Sequence, residues 1–210
     1  MFKYIMGLML LVSCVASAEE NYVKFEAIQT YEEGNRVLTE HDYGSGVRWN
    51  KDYVVTAKHV SFAQDSVYKC SENCDLQFVK REIVGDGVVP EWRESVAAEN
   101  VTIIGNSVGG KTVISKGQDI NRYFYVAAGK VESRPEKAGQ ENAVVYASTA
   151  QIVHGQSGGP VFGDDGKVVG MLIGKTILTG KGGEQYTVSV YVPYSVIKTE
   201  WEKYQKKKES

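Results

Sequence analysis

The stretch His154-Gly-Gln-Ser-Gly-Gly-Pro-Val-Phe162, "HGQSGGPVF", decides how the chain is read. A serine set among glycines and a proline is ordinary loop material. The same serine is a nucleophile if the chain also supplies an imidazole base, a carboxylate behind that base and donors for an oxyanion. The rest of the sequence has to choose between these readings.

The base is found in Gly44–Val60, "GSGVRWNKDYVVTAKHV". This segment reads as Gly-Ser-Gly, a strand, a polar turn at Asn50-Lys51-Asp52, a second strand, and then His59. A histidine just past an apolar strand emerges on a loop held by a rigid sheet, where catalytic groups commonly sit. The chain has three histidines. His41 lies in polar "TEHDYG" and reads as exposed. His154 lies three residues before Ser157.

With both motifs in view, the chain resembles the chymotrypsin-like (trypsin-fold) serine peptidases. "VVTAKHV" is similar to that family's strand-and-histidine motif, and "HGQSGGPVF" to its nucleophile motif. Their order is the one that this family uses. The resemblance runs from about Gly44 to the C-terminus and is nearest in pattern to the bacterial glutamyl endopeptidases and stress proteases. It implies an aspartate opening an apolar strand between the two motifs. Cys74-Asp75-Leu76-Gln77-Phe78-Val79 matches, so Asp75 is expected to complete the triad, with Asp65 and Asp86 as the fallbacks. His59 and Asp75 are closer in sequence than is usual in the family. The first barrel is therefore expected to be shortened, or to have two strands replaced by one hairpin around Cys70 and Cys74.

The resemblance also implies roles for the neighbours of these residues. The N–H groups of Gly155 and Ser157 would form the oxyanion hole. Gln151, Ile152, His154, Leu172, Ile173 and Gly174 would surround the substrate pocket. No acidic residue stands at Gln151 to receive a basic side chain. Ile152 and Leu172 replace the threonine and histidine of glutamyl-specific members. A small or apolar side chain is the expected occupant. Gln156 stands where the animal digestive enzymes have an aspartate that pairs with a freed N-terminus, so that route of activation is not expected.

The fold expected is all-β. Short runs rich in Val, Ile and aromatic residues recur along the chain, each bounded by Gly, Asn, Asp or Ser. Asp86-Gly87 and Asp165-Gly166 fit hairpin turns. The resemblance makes this two antiparallel six-stranded-type β-barrels, the first shortened. They are expected at roughly residues 19–95 and 96–192, with a C-terminal helix over 194–207. In that helix Val196, Ile197, Trp201 and Tyr204 fall near one face.

Residues 1–18, "MFKYIMGLMLLVSCVASA", read as a signal peptide ending in a small-x-small site. The apolar run is too short for a stable membrane span. Leu11-Val12-Ser13-Cys14 is also similar to a bacterial lipobox, which would anchor the chain through a lipidated Cys14. Cleavage after Ala18 is the reading adopted, with export to the periplasm or beyond. The whole chain has 24 basic and 26 acidic residues; removing Lys3 leaves 23 against 26, a formal net charge of −3. This does not point to nucleic acid as a partner. After cleavage two cysteines remain, Cys70 and Cys74, an even number in an oxidising compartment, and a disulfide across Ser71-Glu72-Asn73 is expected. No metal-binding motif appears and no cofactor is expected.

The function expected is therefore a serine endopeptidase acting on a protein or peptide substrate. The alternatives are a triad-bearing binding or chaperone-like protein with little activity, or an esterase on the same scaffold.

Overall fold

The structure, a computed structural model, describes residues 22–33, 36–71, 74–82, 88–127, 130–133 and 144–209. The signal-peptide segment, Cys14 and the Asp86-Gly87 pair lie outside these residues.

Two antiparallel sheets carry the fold. The first has five strands: β1 (Tyr22–Glu33), β2 (Arg36–Arg48), β3 (Tyr53–Thr56), β4 (Ser66–Lys69) and β5 (Gln77–Lys80), in the order β1-β2-β3-β5-β4. The second has seven: β6 (Asn100–Gly105), β7 (Val113–Ala127), β8 (Lys130–Glu132), β9 (Val144–Ser148), β10 (Pro160–Phe162), β11 (Val168–Thr179) and β12 (Gln185–Pro193). Their order is β6-β10-β11-β12-β9-β7-β8. A further β6–β7 pairing closes six of them into a barrel. The long β7 serves three partners: β6 along its first half, β9 from Asp119 with a register shift between Asp119 and Asn121, and β8 at its end.

The sequence explains these elements locally. Val54, Val55, Phe78 and Val79 are β-branched or aromatic residues, all buried, on the paired strands β3 and β5. Asp165-Gly166 forms the expected hairpin turn between β10 and β11, where Gly166 takes a φ of 76° that glycine tolerates. A core cluster containing Val47, Phe78, Ile104, Met171 and Ile197 spans both sheets; a smaller one, with Ile103, Leu172 and Tyr191, fills the second barrel.

Helix α1 (Tyr194–Glu209) follows the last strand and turns Ile197 into this core. Its Trp201 then reaches the first sheet. The indole meets Tyr53 at 4.8 Å and Phe78 at 5.0 Å between ring centroids, both edge-on. The helix therefore ties the end of the second sheet to the back of the first.

A charged cluster holds the segment between the sheets. Arg93 donates to Glu99 at 2.6 Å and to Asp165 at 3.0 Å on the β10–β11 hairpin. Burial alone would raise the Glu99 carboxyl, but hydrogen bonds from Arg93 and from the N–H groups of Val96 and Asp164 hold it below the ordinary range. A depressed carboxyl contributes stability above its unfolded pKa, which is lost as pH falls through the folded value.

Two outcomes follow. Trp201→Ala should cost about 2–4 kcal/mol in urea unfolding, since it removes a large, partly exposed aromatic from a shared core; a change under about 0.5 kcal/mol would contradict this packing. Glu99→Gln should flatten the loss of stability on acidification below about pH 4.5. An unaltered acid profile would show that Glu99 does not carry it.

Candidate active site

The positions of His59 and Asp75 follow from the register of two neighbouring strands. Thr56, the last residue of β3, pairs with Gln77, the first of β5. His59 lies three residues past that pair and Asp75 two residues before it. Antiparallel strands bring both to the same end of the sheet. The 16-residue separation is short because β4 and β5, joined through the Cys70–Cys74 disulfide, supply a single hairpin there. The disulfide closes the turn directly before Asp75.

Asp75 is 5% exposed and binds His59 twice. The His59 backbone N–H donates to Oδ1 at 3.0 Å, and imidazole Nδ1 lies 2.6 Å from Oδ2. An ionised carboxylate only accepts, so Nδ1 carries the proton of this bond and Nε2 remains for other partners. The buried Gln77 amide donates to the carbonyls of Ala57 and Val60, at 3.0 and 2.9 Å, on either side of the His59 turn. Lys58 donates to Ser71 O at 3.0 Å, joining the same turn to the disulfide loop. Asp65 is instead at the other end of β5, where its carbonyl accepts from Lys80 N–H.

Ser157 comes from the second sheet, on the loop before β10, and is held against the first sheet by Ser45 of β2. Ser45 N–H donates to Ser157 O at 2.8 Å. The Ser45 hydroxyl donates to Gly155 O and accepts from Asn106 N–H, both at 2.7 Å. Thr56 in turn donates to Ser45 O at 2.6 Å. The contact is so close that a Cβ on Gly158 would lie 1.9 Å from Ser45 O, and Gly158 has a φ of 88°. No other residue type fits there. Gln156 is fully buried: its Oε1 accepts from Val153 N–H at 2.8 Å and from the Ser115 hydroxyl at 3.1 Å, and its amide donates to Val113 O at 3.2 Å. A neutral side chain thus anchors the loop without an ion pair.

The Gln156 N–H is bonded to Val153 O, whereas the N–H groups of Gly155 and Ser157 have no intrachain partner among the described residues. The Ser157 hydroxyl donates to Ile173 O at 3.5 Å rather than to His59. Both side chains nevertheless line one cleft of about 300 Å³, together with Asp75, Tyr125, Lys130, Val131, Ile173 and Gly174. Tyr125 lines the same cleft as Asp75: burial, and then the carboxylate's charge, push its phenol up to about 12.

Of the pocket residues expected from sequence, only Ile173 and Gly174 line this cleft. Leu172 is fully buried inside the second barrel, because strand alternation turns it away from Ile173, and Ile152 packs against it. Gln151 is exposed and donates to Thr149 O at 3.3 Å. His154 is exposed on the loop and does not line the cleft. His41 is exposed and pairs with Glu26 at 3.0 Å. Tyr125, Val131, Lys175, Thr176 and Val190 line the cleft but carry no sequence signal. Ser45 and Gln77 had one: each lies within a catalytic motif. Among the described residues there is no cluster of His, Cys, Asp and Glu suited to a metal ion.

Comparison with known proteins agrees with this architecture. The profile of the trypsin-like peptidase domain matches residues 71–171. A probable periplasmic serine endoprotease, DegP-like, from Pseudomonas fulva (strain 12-X) is 30% identical over 176 residues. That alignment covers 78% of this chain but 35% of the relative, so the chain spans about a third of that protein's length. The active form of the Rv3671c protease from M. tuberculosis superposes with a TM-score of 0.62 at 16% identity, over 90% of this chain and 82% of that one. Its inactive form gives 0.61 at 17% identity, over 90% and 91%. The HtrA-type protease AlgW with a tripeptide gives 0.61 at 16% identity, over 88% and 60%. The profile match, the DegP-like relative and the shared fold together support a chymotrypsin-like serine peptidase.

Ser45→Ala should test the seam. It strands the buried Asn106 N–H and should cost about 1–3 kcal/mol in urea unfolding. Unchanged stability would mean that water replaces the hydroxyl and that the seam rests on backbone bonds alone.

Proposed function

We propose that the chain is an exported serine endopeptidase in which Ser157 is the nucleophile, His59 the general base and Asp75 the residue that orients it. The observation that carries this reading is the Asp75-bound imidazole, Nδ1 to Oδ2 at 2.6 Å, sharing a cleft with Ser157. With Nδ1–H committed to Asp75, Nε2 is the free base. Catalytic hydrogen bonds are often long before substrate binds, so the reading has the Ser157 hydroxyl exchange Ile173 O for Nε2 when substrate enters.

The chemistry then runs in two halves. As Ser157 Oγ attacks the scissile carbonyl carbon, its proton passes to His59 Nε2 and the carbonyl oxygen becomes an oxyanion. The N–H groups of Gly155 and Ser157 receive that oxyanion. The carbon–nitrogen bond breaks, and His59 returns its proton to the leaving amine. Water then attacks the acyl-enzyme by the same route. Asp75 stabilises the imidazolium throughout and keeps its own proton-free state.

Export is supported by the leader-like residues 1–18, by the disulfide and by the periplasmic DegP-like relative. Among the described residues no helix is long and apolar enough to cross a membrane. The choice between cleavage after Ala18 and lipidation of Cys14 follows from the mass of the mature N-terminus.

A fluorophosphonate reads the site directly. The account expects a single adduct on Ser157, abolished by Ser157→Ala and by His59→Ala. Labelling of Asp75→Asn should be slowed by about 10⁴. Adduct formation that survives Ser157→Ala would overturn the assignment. A folded chain that takes no label and binds unfolded protein without cleaving it would replace it with a binding function. Rapid hydrolysis of short esters with casein left intact would make it an esterase.

A further inference from the structure

The cleft wall contains an anomaly of register. Ile173, Gly174, Lys175 and Thr176 are consecutive, and all four line the cleft. A regular strand turns alternate side chains to opposite faces, so adjacent Ile173 and Gly174 on one wall mark a break in the pleat. The break is the register shift between Leu172 and Gly174 in the β11–β12 pairing, where Gly174 has a φ of 152°. A Cβ on Gly174 would meet nothing, so the backbone, rather than space, accounts for the glycine. Beyond the shift, Gly174, Lys175 and Thr176 pair in step with Val190, Ser189 and Val188, and the exposed Lys175 lines the same cleft as Ser157.

The remaining wall is mostly apolar: Ile173, Val190 of β12, and Tyr125 and Val131 of the β7–β8 hairpin. Two cations stand on it. Lys130 is paired with Glu132 at 3.1 Å. Lys175 is exposed and has no carboxylate partner among the described residues. The one carboxylate on the wall, Asp75, is engaged by His59. β10 pairs with β11 only as far as Met171, which leaves that edge of β11 open from Ile173 onward for an extended chain.

Resting on the peptidase reading, we propose that the cleft receives an apolar side chain of an extended peptide and that Lys175 selects an acidic residue flanking the scissile bond. The apolar wall removes the first side chain from water. Lys175, at the rim, attracts the second with the modest strength of a solvent-exposed pair, which salt screens.

The test uses paired fluorogenic peptides with one apolar residue fixed and Glu or Gln placed at each flanking position in turn. At low salt, Glu should raise kcat/KM about fivefold over Gln at one position or more. The advantage should shrink at high salt, and Lys175→Glu should reverse it in favour of a Lys-containing peptide. Fluorophosphonate labelling of the wild-type chain is run alongside. Label on Ser157 without any preference for Glu, or a preference that Lys175→Glu leaves intact, overturns this proposal while the peptidase reading stands. Absence of label overturns both.

Discussion

Everything at this site depends on the seam between Ser45 and the Gly155–Gly158 loop. His59 and Asp75 belong to one sheet and Ser157 to the other, so no local sequence preference can bring them together. Ser45 does so from the middle of β2, with its N–H on Ser157 O and its hydroxyl on Gly155 O. Its own carbonyl is held by Thr56 at the end of β3, the strand that leads to His59. One residue thus connects the supports of both halves. The fit leaves no room for a Cβ on Gly158, so the close approach of the two sheets and the Gly-Gly of the nucleophile motif are one constraint.

The second support is economy in the first sheet. The carboxylate reaches the imidazole over a short chain segment because β3 and β5 are direct neighbours and end at the same level. β4 lies on the far side of β5, and the disulfide closes the link between them. Gln77, buried at the start of β5, grips the His59 turn through two carbonyls. Tyr125 reaches across from the second sheet and packs on the shared core.

This division explains what was legible beforehand. "TAKHV" and "HGQSGGPVF" are local statements: a histidine at a strand end, and glycines where only glycine fits. Asp75 was singled out because the family resemblance implies an aspartate opening an apolar strand, and it lies against His59. The fold class was readable from the same runs. The cleft wall was not. Leu172 and Ile173 are equally apolar, and which of them faces the cleft depends on strand phase. Ile173 and Gly174 share the cleft wall because of the register shift between Leu172 and Gly174, which depends on pairing with β12. Tyr125 and Val131 lie on a hairpin whose approach to Asp75 is set by tertiary packing.

The claim that most needs a direct reading is the bond between Asp75 and His59, because the imidazole's orientation and tautomer both follow from it. Proton NMR of the folded chain reads it through the imidazole N–H. A short hydrogen bond to a buried carboxylate deshields that proton and protects it from exchange with water. The account predicts one strongly downfield resonance, lost in His59→Ala and displaced upfield in Asp75→Asn. A folded wild-type chain with no such resonance, or one indifferent to Asp75→Asn, would contradict it.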